Sequence, residues 1–367
     1  MPLRAYINDQ EIISIDLSDD EWTKLKADIK NKKSVLTLPC CEQEGYLRIS
    51  SKGLKHFVHS KSACPCDWKP ESAEHLKAKI AIIEACRENG WEAIPEFSEK
   101  DWRADVLAVQ GQKRIAFEVQ WSRQSYEETK YRQERYKDSN VRGCWFFRIA
   151  PKEMLDYSKS FVADKDIPAF KIFKDEHSDI IAHVGQKQMP LKMLLASLLN
   201  RKLKFCKHIR LKPKQEVSII LFQTQCWKCH KPQYCYTVYP KFSTVCGQNF
   251  NITNSSWNDD TVDKNPRVYA AVQQFLESNQ DKGIKIGLLK RRFSKTVQHS
   301  YLSLGCYHCD ALFGDHYLNT SKLDVYNDIN SQYGLENYIR FTAEIAFDTQ
   351  TEGKPHWCYS GDGHFCE

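Results

Sequence analysis

Three acidic side chains are spread over a predicted helix and the two predicted strands that follow it, and this pattern constrains the fold most. Glu74 lies on a predicted helix that spans residues 73–89. Asp105 and Glu118 lie in the two strand-like runs that come next along the chain. Hard divalent cations such as Mg²⁺ prefer oxygen ligands. The pattern therefore predicts an α/β core in which carboxylates from three elements surround a cation.

The second strand-like run presents its side chains alternately to its two faces. Glu118 and Gln120 therefore point to one side, and Phe117 and Val119 to the other. Asp105 begins an almost entirely apolar run, where an unpaired carboxylate is costly and needs a partner or a metal. We expect Asp105 and Glu118 to bind Mg²⁺ or Mn²⁺, with the Val119 carbonyl as a further ligand. The alternative is a hairpin with ordinary surface acids.

This part of the chain resembles a known nuclease family in several short motifs. The motifs are Glu71-Ser72-Ala73-Glu74-His75-Leu76, Arg103-Ala104-Asp105-Val106-Leu107, Ala116-Phe117-Glu118-Val119-Gln120-Trp121-Ser122, Arg132 and Tyr136. Over residues 34–150 the chain is similar to the PD-(D/E)xK nuclease core, and more closely to the nuclease domain of CoiA-like competence proteins. The resemblance implies a restriction-endonuclease-like α/β (α+β) core that hydrolyses DNA phosphodiester bonds with a divalent metal.

The resemblance also implies roles for individual residues. Asp105 and Glu118 would bind the catalytic Mg²⁺ or Mn²⁺, while Glu74 would bind that ion, a second ion or a bridging water. Gln120 stands where the wider superfamily has its catalytic lysine, as it does in the CoiA-like subfamily. A neutral amide can orient the attacking water but lacks the charge that would stabilise a hydroxide. Gln120 therefore also favours a rival interpretation, a DNA-binding adaptor with weak or no catalysis.

The biological setting and the partners follow from the same resemblance. It implies the processing of incoming or recombining DNA, and a bacterial defence role against foreign DNA is equally compatible. A zinc-dependent hydrolase is a more distant alternative, because the zinc ligands predicted below already form complete sets. DNA is the expected partner, and a homodimer or a partner protein is left open.

Composition sets outer limits on the kind of protein. A chain of 367 residues is long enough for two or three domains. It contains no apolar run of the roughly 20 residues that a membrane span needs, and its N-terminus lacks a signal-peptide pattern, so we expect a cytoplasmic protein. Its 15 cysteines then favour metal binding over disulfides. A net charge of +6 permits nucleic-acid binding without requiring it.

Two CxxC knuckles form the second strong pattern. Cys226 and Cys229 make the first knuckle, and Cys306 and Cys309 make the second. A tetrahedral Zn²⁺ needs four such thiolates, so the pattern predicts a zinc-ribbon-like module. About 75 residues separate the knuckles, more than is usual, so an insertion with its own helix near residues 268–278 is expected. The alternatives are inert buried thiols or a catalytic thiol pair, although no thioredoxin-like βαβ pattern surrounds them.

A looser cysteine and histidine cluster precedes the nuclease-like segment. Its members are Cys40, Cys41, His56, His59, Cys64 and Cys66. The alternation of residues 56–59 predicts that both imidazoles lie on one strand face. We expect a possible zinc site formed by Cys40, Cys41, His56 and His59, and the alternative without a metal stays open.

Basic residues just after the active-site strand are the best candidates for DNA contact. These are Arg123, Arg132 and Arg135, accompanied by Tyr136, on or near a predicted helix over residues 127–137. Further basic stretches lie at residues 201–214 and 290–295. They are either phosphate contacts or ordinary solvated faces.

The chain is predicted to consist of five segments. An N-terminal hairpin, helix and Cys/His module spans residues 1–66, and the nuclease core spans 67–150. Residues 151–215 form a connector that completes the core. The zinc-ribbon-like module with its large insertion spans 216–325. A tail segment occupies 326–367. Its residues 356–366 contain His356, Cys358, His364 and Cys366, which could hold another ion, with disorder as the preferred interpretation.

Overall fold

A computed structural model describes residues 2–60, 71–157, 159–239, 241–251, 262–330, 338–346, 350–351, 355–361 and 363–366. The chain divides into two compact units. Unit 1 comprises Met1–Lys207 and Pro355–Phe365, and unit 2 comprises His208–Lys354 and Cys366–Glu367.

The secondary structure alternates short strands with a smaller number of helices. The α-helices are α1 Asp19–Lys30, α2 Ala73–Glu88, α3 Tyr126–Asp138, α4 Leu191–Leu199, α5 Pro266–Glu277 and α6 Asp315–Asn330. The strands in the first half are β1 Arg4–Ile7, β2 Gln10–Ile13, β3 Leu36–Thr37, β4 Gly45–Ile49, β5 Lys55–His59, β6 Glu92–Pro95, β7 Ser98–Glu99, β8 Trp102–Arg103, β9 Val106–Gln110, β10 Lys113–Gln120, β11 Arg142–Phe147, β12 Ala169–Lys174, β13 Ile180–Val184 and β14 Lys187–Pro190. The later strands are β15 Leu203–Cys206, β16 Ile209–Arg210, β17 Lys214–Gln225, β18 Pro232–Val238, β19 Lys241–Ser243, β20 Asn249–Asn251, β21 Leu289–Ser294, β22 His299–Leu304, β23 Tyr338–Ala346, β24 Gln350–Thr351 and β25 His356–Tyr359.

A seven-stranded mixed sheet forms the centre of unit 1. Its strand order is β14-β13-β12-β11-β10-β9-β6, and the β10–β11 and β11–β12 pairs are parallel. The first parallel pair requires a crossover, which α3 supplies. Along the chain, α2 is followed by the antiparallel strands β6, β9 and β10, then by α3 and the parallel strand β11. The predicted α/β class is therefore confirmed.

Local sequence explains why α2 begins and ends where it does. The Ser72 side chain accepts a hydrogen bond from the backbone N–H of His75, which caps the helix. Leu76, Ile83 and other apolar residues on one side of the helix are fully buried against the sheet. Gly90 follows the helix with φ near +73°, a left-handed conformation that glycine adopts without strain. The predicted helix over residues 73–89 is thus confirmed to within one residue.

The run around Asp105 differs from its predicted form. One continuous strand was expected over residues 102–108, but β8 and β9 are separate and Asp105 lies between them. β8 pairs with β7, whereas β9 joins the central sheet. The break lets the Asp105 side chain turn toward β10, because its carboxylate accepts a hydrogen bond from the Val119 backbone N–H.

Unit 2 is built on the long strand β17. β18 and β23 pair antiparallel with its two edges. Between the two knuckles lies the expected insertion, which contains α5 and the hairpin formed by β21 and β22. The expected disorder of residues 356–366 is wrong where the structure describes a strand, because β25 pairs with β15 in unit 1.

Within the described ranges, no helix combines the length and the apolar character that a membrane crossing requires.

Candidate functional site

A cavity of about 950 Å³ opens beside the end of β10 in unit 1. The residues that bear on its chemistry are Glu71, His75, Asp105, Glu118, Gln120 and Arg123. The capping residues of two helices, Ser72 of α2 and Ser125 of α3, also line it. Helix N-termini carry partial positive charge, so this wall favours anions such as phosphate.

Asp105 is the best-anchored carboxylate of the cavity. Its Oδ2 accepts a hydrogen bond of 2.8 Å from the Val119 N–H and lies 3.3 Å from Nε2 of His75. Burial alone would raise the pKa of Asp105, but His75, Lys79 and the Val119 N–H lower it well below the usual value. Asp105 is therefore held as a carboxylate before any cation arrives.

Glu71 and His75 join Asp105 in a compact set of potential metal ligands. One ligand atom from each residue lies within 4.8 Å of the others. Ligands about 2.1 Å from one octahedral ion are roughly 3.0 to 4.2 Å apart, so the set fits a divalent cation with small adjustments. Their side chains are 15 to 18% exposed, which leaves room for the waters that such ions keep.

The structure does not bring Glu74 into this set. Glu74 does not line the cavity and instead pairs with Lys52 at 2.7 Å and Lys174 at 3.6 Å. The Lys52 hydrogen bond is the main reason why the pKa of Glu74 is lowered to about 2. Sequence reasoning chose Glu74 and missed Glu71 and His75. Helical spacing could have pointed to His75, which is four residues before Lys79 on α2 and so shares its face, whereas Glu71 precedes the helix cap and has no such signal.

Glu118 is enclosed by protein groups. Its side chain is 1% exposed, accepts a hydrogen bond from the Tyr136 hydroxyl and pairs with the Arg132 guanidinium at 2.6 Å. Burial raises the pKa of Glu118 to about 7, although Arg132 opposes this effect. Glu118 does line the cavity, as its predicted role requires, but in this conformation its Oε1 is engaged by both Arg132 and Tyr136.

A fully buried lysine pairs with Glu71 of the cluster. Lys79 is 0% exposed, and its Nζ lies 3.1 Å from Glu71 and 2.5 Å from Glu96. Burial opposes the charge on Lys79, but Glu96 and Glu71 nevertheless raise its pKa. Glu96 in turn accepts hydrogen bonds from the backbone N–H groups of Leu3 and Arg4. The N-terminal strand is thereby connected to a side chain of the cavity.

The predicted DNA-contacting residues divide into two groups. Gln120 and Arg123 line the cavity, so their expected roles agree with their positions. Arg132 also lines it, but its guanidinium contacts Glu118, the Arg103 carbonyl and the Trp145 ring.

Two of the predicted contacts need correction. Tyr136 is completely buried, so its expected contact with DNA does not agree with its position. Arg135 is not among the residues that line the cavity, and it packs against the Tyr131 ring and hydrogen-bonds the Asp101 carbonyl. Both residues lie on α3 as expected, but their side chains make contacts within the protein.

The two knuckles meet in unit 2 as the sequence predicts. Sγ of Cys226 lies 3.7 Å from Sγ of Cys309, and Sγ of Cys229 lies 3.7 Å from Sγ of Cys306. A tetrahedral zinc ion about 2.3 Å from each sulfur would place the sulfurs about 3.8 Å apart. Burial would raise the pKa of Cys226, but the N–H groups of Cys229 and Lys228 lower it to about 7. The four thiols could therefore hold zinc.

The N-terminal cluster contains three of its four predicted ligands. Cys40 and Cys41 lie 3.6 Å from the two ring nitrogens of His59, and their sulfurs are 3.8 Å apart. His56 is not in the set, and its Nδ1 lies 3.1 Å from the Leu54 carbonyl. The prediction that His56 and His59 share a strand face was wrong, because residues three apart on a strand point to opposite faces.

Cys64 and Cys66, which the sequence placed in the same cluster, lie outside the described residues.

Two of the basic residues in the stretch 290–295 form ion pairs within the protein. Arg292 is 9% exposed, and its guanidinium contacts Asp310 at 2.6 Å and the Leu288 carbonyl at 3.0 Å. Lys290 also pairs with Asp310 at 2.7 Å. These two cations stabilise the second knuckle region and are less available to phosphate.

Comparison with known protein families identifies the central part of the chain. Residues 71–225 match the family described as competence protein CoiA, nuclease-like domain. No curated protein matches the chain. The predicted resemblance is confirmed, and residues 71–225 are similar to the CoiA nuclease-like domain. The match begins later and ends later than the range 34–150 expected from the motifs.

Proposed function

We propose that this protein is a divalent-metal-dependent nuclease that hydrolyses DNA phosphodiester bonds in the cavity beside β10. One observation carries the proposal. Asp105 is held ionised by His75 and the Val119 N–H at the wall of an anion-favouring cavity, within a CoiA nuclease-like domain. A binding protein has no need of a preformed carboxylate that faces phosphate.

The residues of the cavity have distinct roles in this proposal. Asp105, with Glu71 and His75, would hold the cation. When bound, a divalent cation polarises the phosphoryl oxygens and lowers the pKa of a bound water. Gln120 orients the attacking water through its side-chain amide, since it faces the cavity and is only partly buried. Arg123 contacts a phosphate of the bound strand.

The wider role follows from the family. The family description names competence, which supports a function in the processing of incoming or recombining DNA. Defence against foreign DNA uses the same chemistry. Zinc at Cys226, Cys229, Cys306 and Cys309 would stabilise unit 2 and take no part in hydrolysis, because four thiolates complete its coordination shell.

A second candidate function is a DNA-binding adaptor without catalysis. Two observations favour it. Gln120 is neutral where the superfamily has lysine, and Glu118 is engaged by Arg132 and Tyr136. Both features would weaken a nuclease without preventing contact with phosphates.

A cleavage and binding experiment separates the two candidates. Wild-type protein, Asp105→Asn and the control Asp101→Asn are incubated with single-stranded, duplex and branched DNA in Mg²⁺ or Mn²⁺. Asp101 is a suitable control because its side chain is 77% exposed and does not line the cavity. We expect the wild type and the control to cleave, and Asp105→Asn to bind DNA without cleaving it. Binding without cleavage by all three proteins would favour the adaptor, and cleavage by Asp105→Asn would refute the assigned site.

A further inference from the structure

We infer that the cation site selects a transition metal of the Mn²⁺ type over Mg²⁺, and that His75 is the residue that determines this selectivity. The inference rests on the proposed function, because it concerns the cation of the same cavity. The typical superfamily site described above is made of carboxylates. Here one of the three clustered donors is an imidazole nitrogen.

The imidazole is held in place before a metal binds. His75 lies in the first turn of α2, where its backbone N–H donates to the capping Ser72 hydroxyl at 3.1 Å. Its Nε2 lies 3.3 Å from Asp105, and its side chain is 15% exposed. A cation that binds Asp105 from the cavity therefore meets this nitrogen without rearrangement of the helix.

The second carboxylate of the set is also fixed in position. Lys79 donates to both oxygens of Glu71, at 3.1 and 3.3 Å, and is itself completely buried. A lysine that cannot reach solvent restricts the Glu71 carboxylate to the side of the helix that carries His75. His75 and Lys79 are four residues apart on α2 and so share one face of the helix, and Glu71 lies just before the helix cap.

The buried carboxylate of the cavity, Glu118, is held by protein partners through one of its oxygens. Glu118 is 1% exposed, and its oxygen Oε1 is engaged by Arg132 and by the Tyr136 hydroxyl. Recruiting this oxygen to a cation would break a buried ion pair, which is costly. Glu128, an exposed carboxylate, also lines the cavity but lies outside the compact set. The clustered donors are therefore two carboxylates and one imidazole.

This donor set discriminates between metals by ligand softness. Mg²⁺ prefers oxygen ligands in near-ideal octahedral geometry and gives up its waters reluctantly. Imidazole nitrogen suits borderline transition ions, whose affinity for nitrogen sites rises along the first row from Mn²⁺. His75→Gln replaces the nitrogen by a hard amide oxygen of similar reach, so it should reduce the preference for Mn²⁺ while keeping three donors.

The test uses the full-length protein with its cysteine sites loaded and measures binding, not cleavage. Mn²⁺ and Mg²⁺ affinities are determined by titration calorimetry for the wild type, His75→Gln, Asp105→Ala and the control His177→Gln. His177 is a suitable control because its side chain is 78% exposed and does not line the cavity. Electron spin-echo spectroscopy of bound Mn²⁺ then detects directly coordinated nitrogen, and labelling the protein with ¹⁵N-histidine confirms its origin even if His75→Gln fails to fold.

We expect a histidine nitrogen coupling in the wild type and in His177→Gln that disappears in His75→Gln. The Mn²⁺-to-Mg²⁺ affinity ratio should fall about tenfold or more in the same variant. Binding that depends on Asp105 but shows no nitrogen coupling would overturn the inference and leave the proposed nuclease intact. Absence of any Asp105-dependent binding would instead remove the metal site on which the proposed function depends.

Discussion

Replacing the buried Lys79 by methionine should destabilise unit 1 strongly. Methionine fills a similar volume but removes the ammonium that lies 2.5 Å from Glu96 and 3.1 Å from Glu71. Removing one partner of a buried ion pair costs about 3–5 kcal/mol, because the remaining charge is left uncompensated. Glu96 keeps its hydrogen bonds from Leu3 and Arg4, and Glu71 is 16% exposed. Both facts place the expected loss near the lower end, about 3 kcal/mol.

Urea unfolding measures this loss directly. With a slope of about 2–3 kcal/mol per M, the midpoint of the transition that reports on unit 1 should fall by roughly 1–1.5 M. Lys192→Met is the matched control, because Lys192 also contacts two carboxylates, at 3.1 and 2.8 Å, but is 42% exposed. An exposed pair of this kind contributes at most about 1 kcal/mol. If both variants lose the same small amount of unfolding free energy, the buried ion pairs of Lys79 contribute no more than the exposed pairs of Lys192, and the reasoning is refuted.

Three further outcomes test other parts of the structure. Cys306→Ser should reduce the zinc content by one ion per chain in elemental analysis, and full retention would contradict the assigned ligands. Since the pKa of Glu118 rises from 4.5 to about 7 on folding, its contribution to stability is present below pH 4.5 and is lost as the pH rises through 7. The unfolding free energy of the wild type should therefore fall by roughly 2–3 kcal/mol between pH 5 and 8 relative to Glu118→Gln, and parallel pH profiles would contradict this. DNA binding should weaken with salt, and Arg123→Ala should reduce both the affinity and its salt dependence without altering sequence preference, as a phosphate contact requires.

The elements that could be predicted from the sequence are those governed by local interactions. The capping serine and the apolar face of α2 are neighbours along the chain, so the helix was predicted within one residue. Each CxxC knuckle places two cysteines close together within four residues. Only the approach of one knuckle to the other depends on the fold. The same holds for Glu118 and Gln120, whose face of β10 follows from strand alternation.

The incorrect predictions concern partners that are distant in sequence. Glu74 was chosen as a ligand because it is acidic, but Lys52 and Lys174 come from elsewhere in unit 1 and hold it outside the cavity. Tyr136 was expected to face DNA, yet the fold places it between Glu118 and the Arg103 carbonyl. Neither pairing has a signature in a single sequence. The pairing of Arg132 with Glu118 was missed for the same reason, since an arginine suited to phosphate is equally suited to a buried carboxylate. Its expected contact with DNA stays a prediction.

Charge balance in the cavity explains how three carboxylates can lie together before a cation arrives. Each has its own cationic or potentially cationic partner: Glu71 has Lys79, Asp105 has His75, and Glu118 has Arg132. Without these partners, burial and mutual repulsion would force protons onto the acids.

The three pairs differ in whether the carboxylate stays accessible from the cavity. The Glu118 pair is closed off from solvent, so it fixes β10 against α3 and contributes little to ligand exchange. Glu71 and Asp105 remain open to the cavity, and the His75 nitrogen beside Asp105 could also serve as a metal ligand. An adaptor would gain nothing from keeping two clustered carboxylates beside an imidazole at the wall of a cavity. A divalent cation could be held by that combination, and this supports the proposed nuclease over the adaptor.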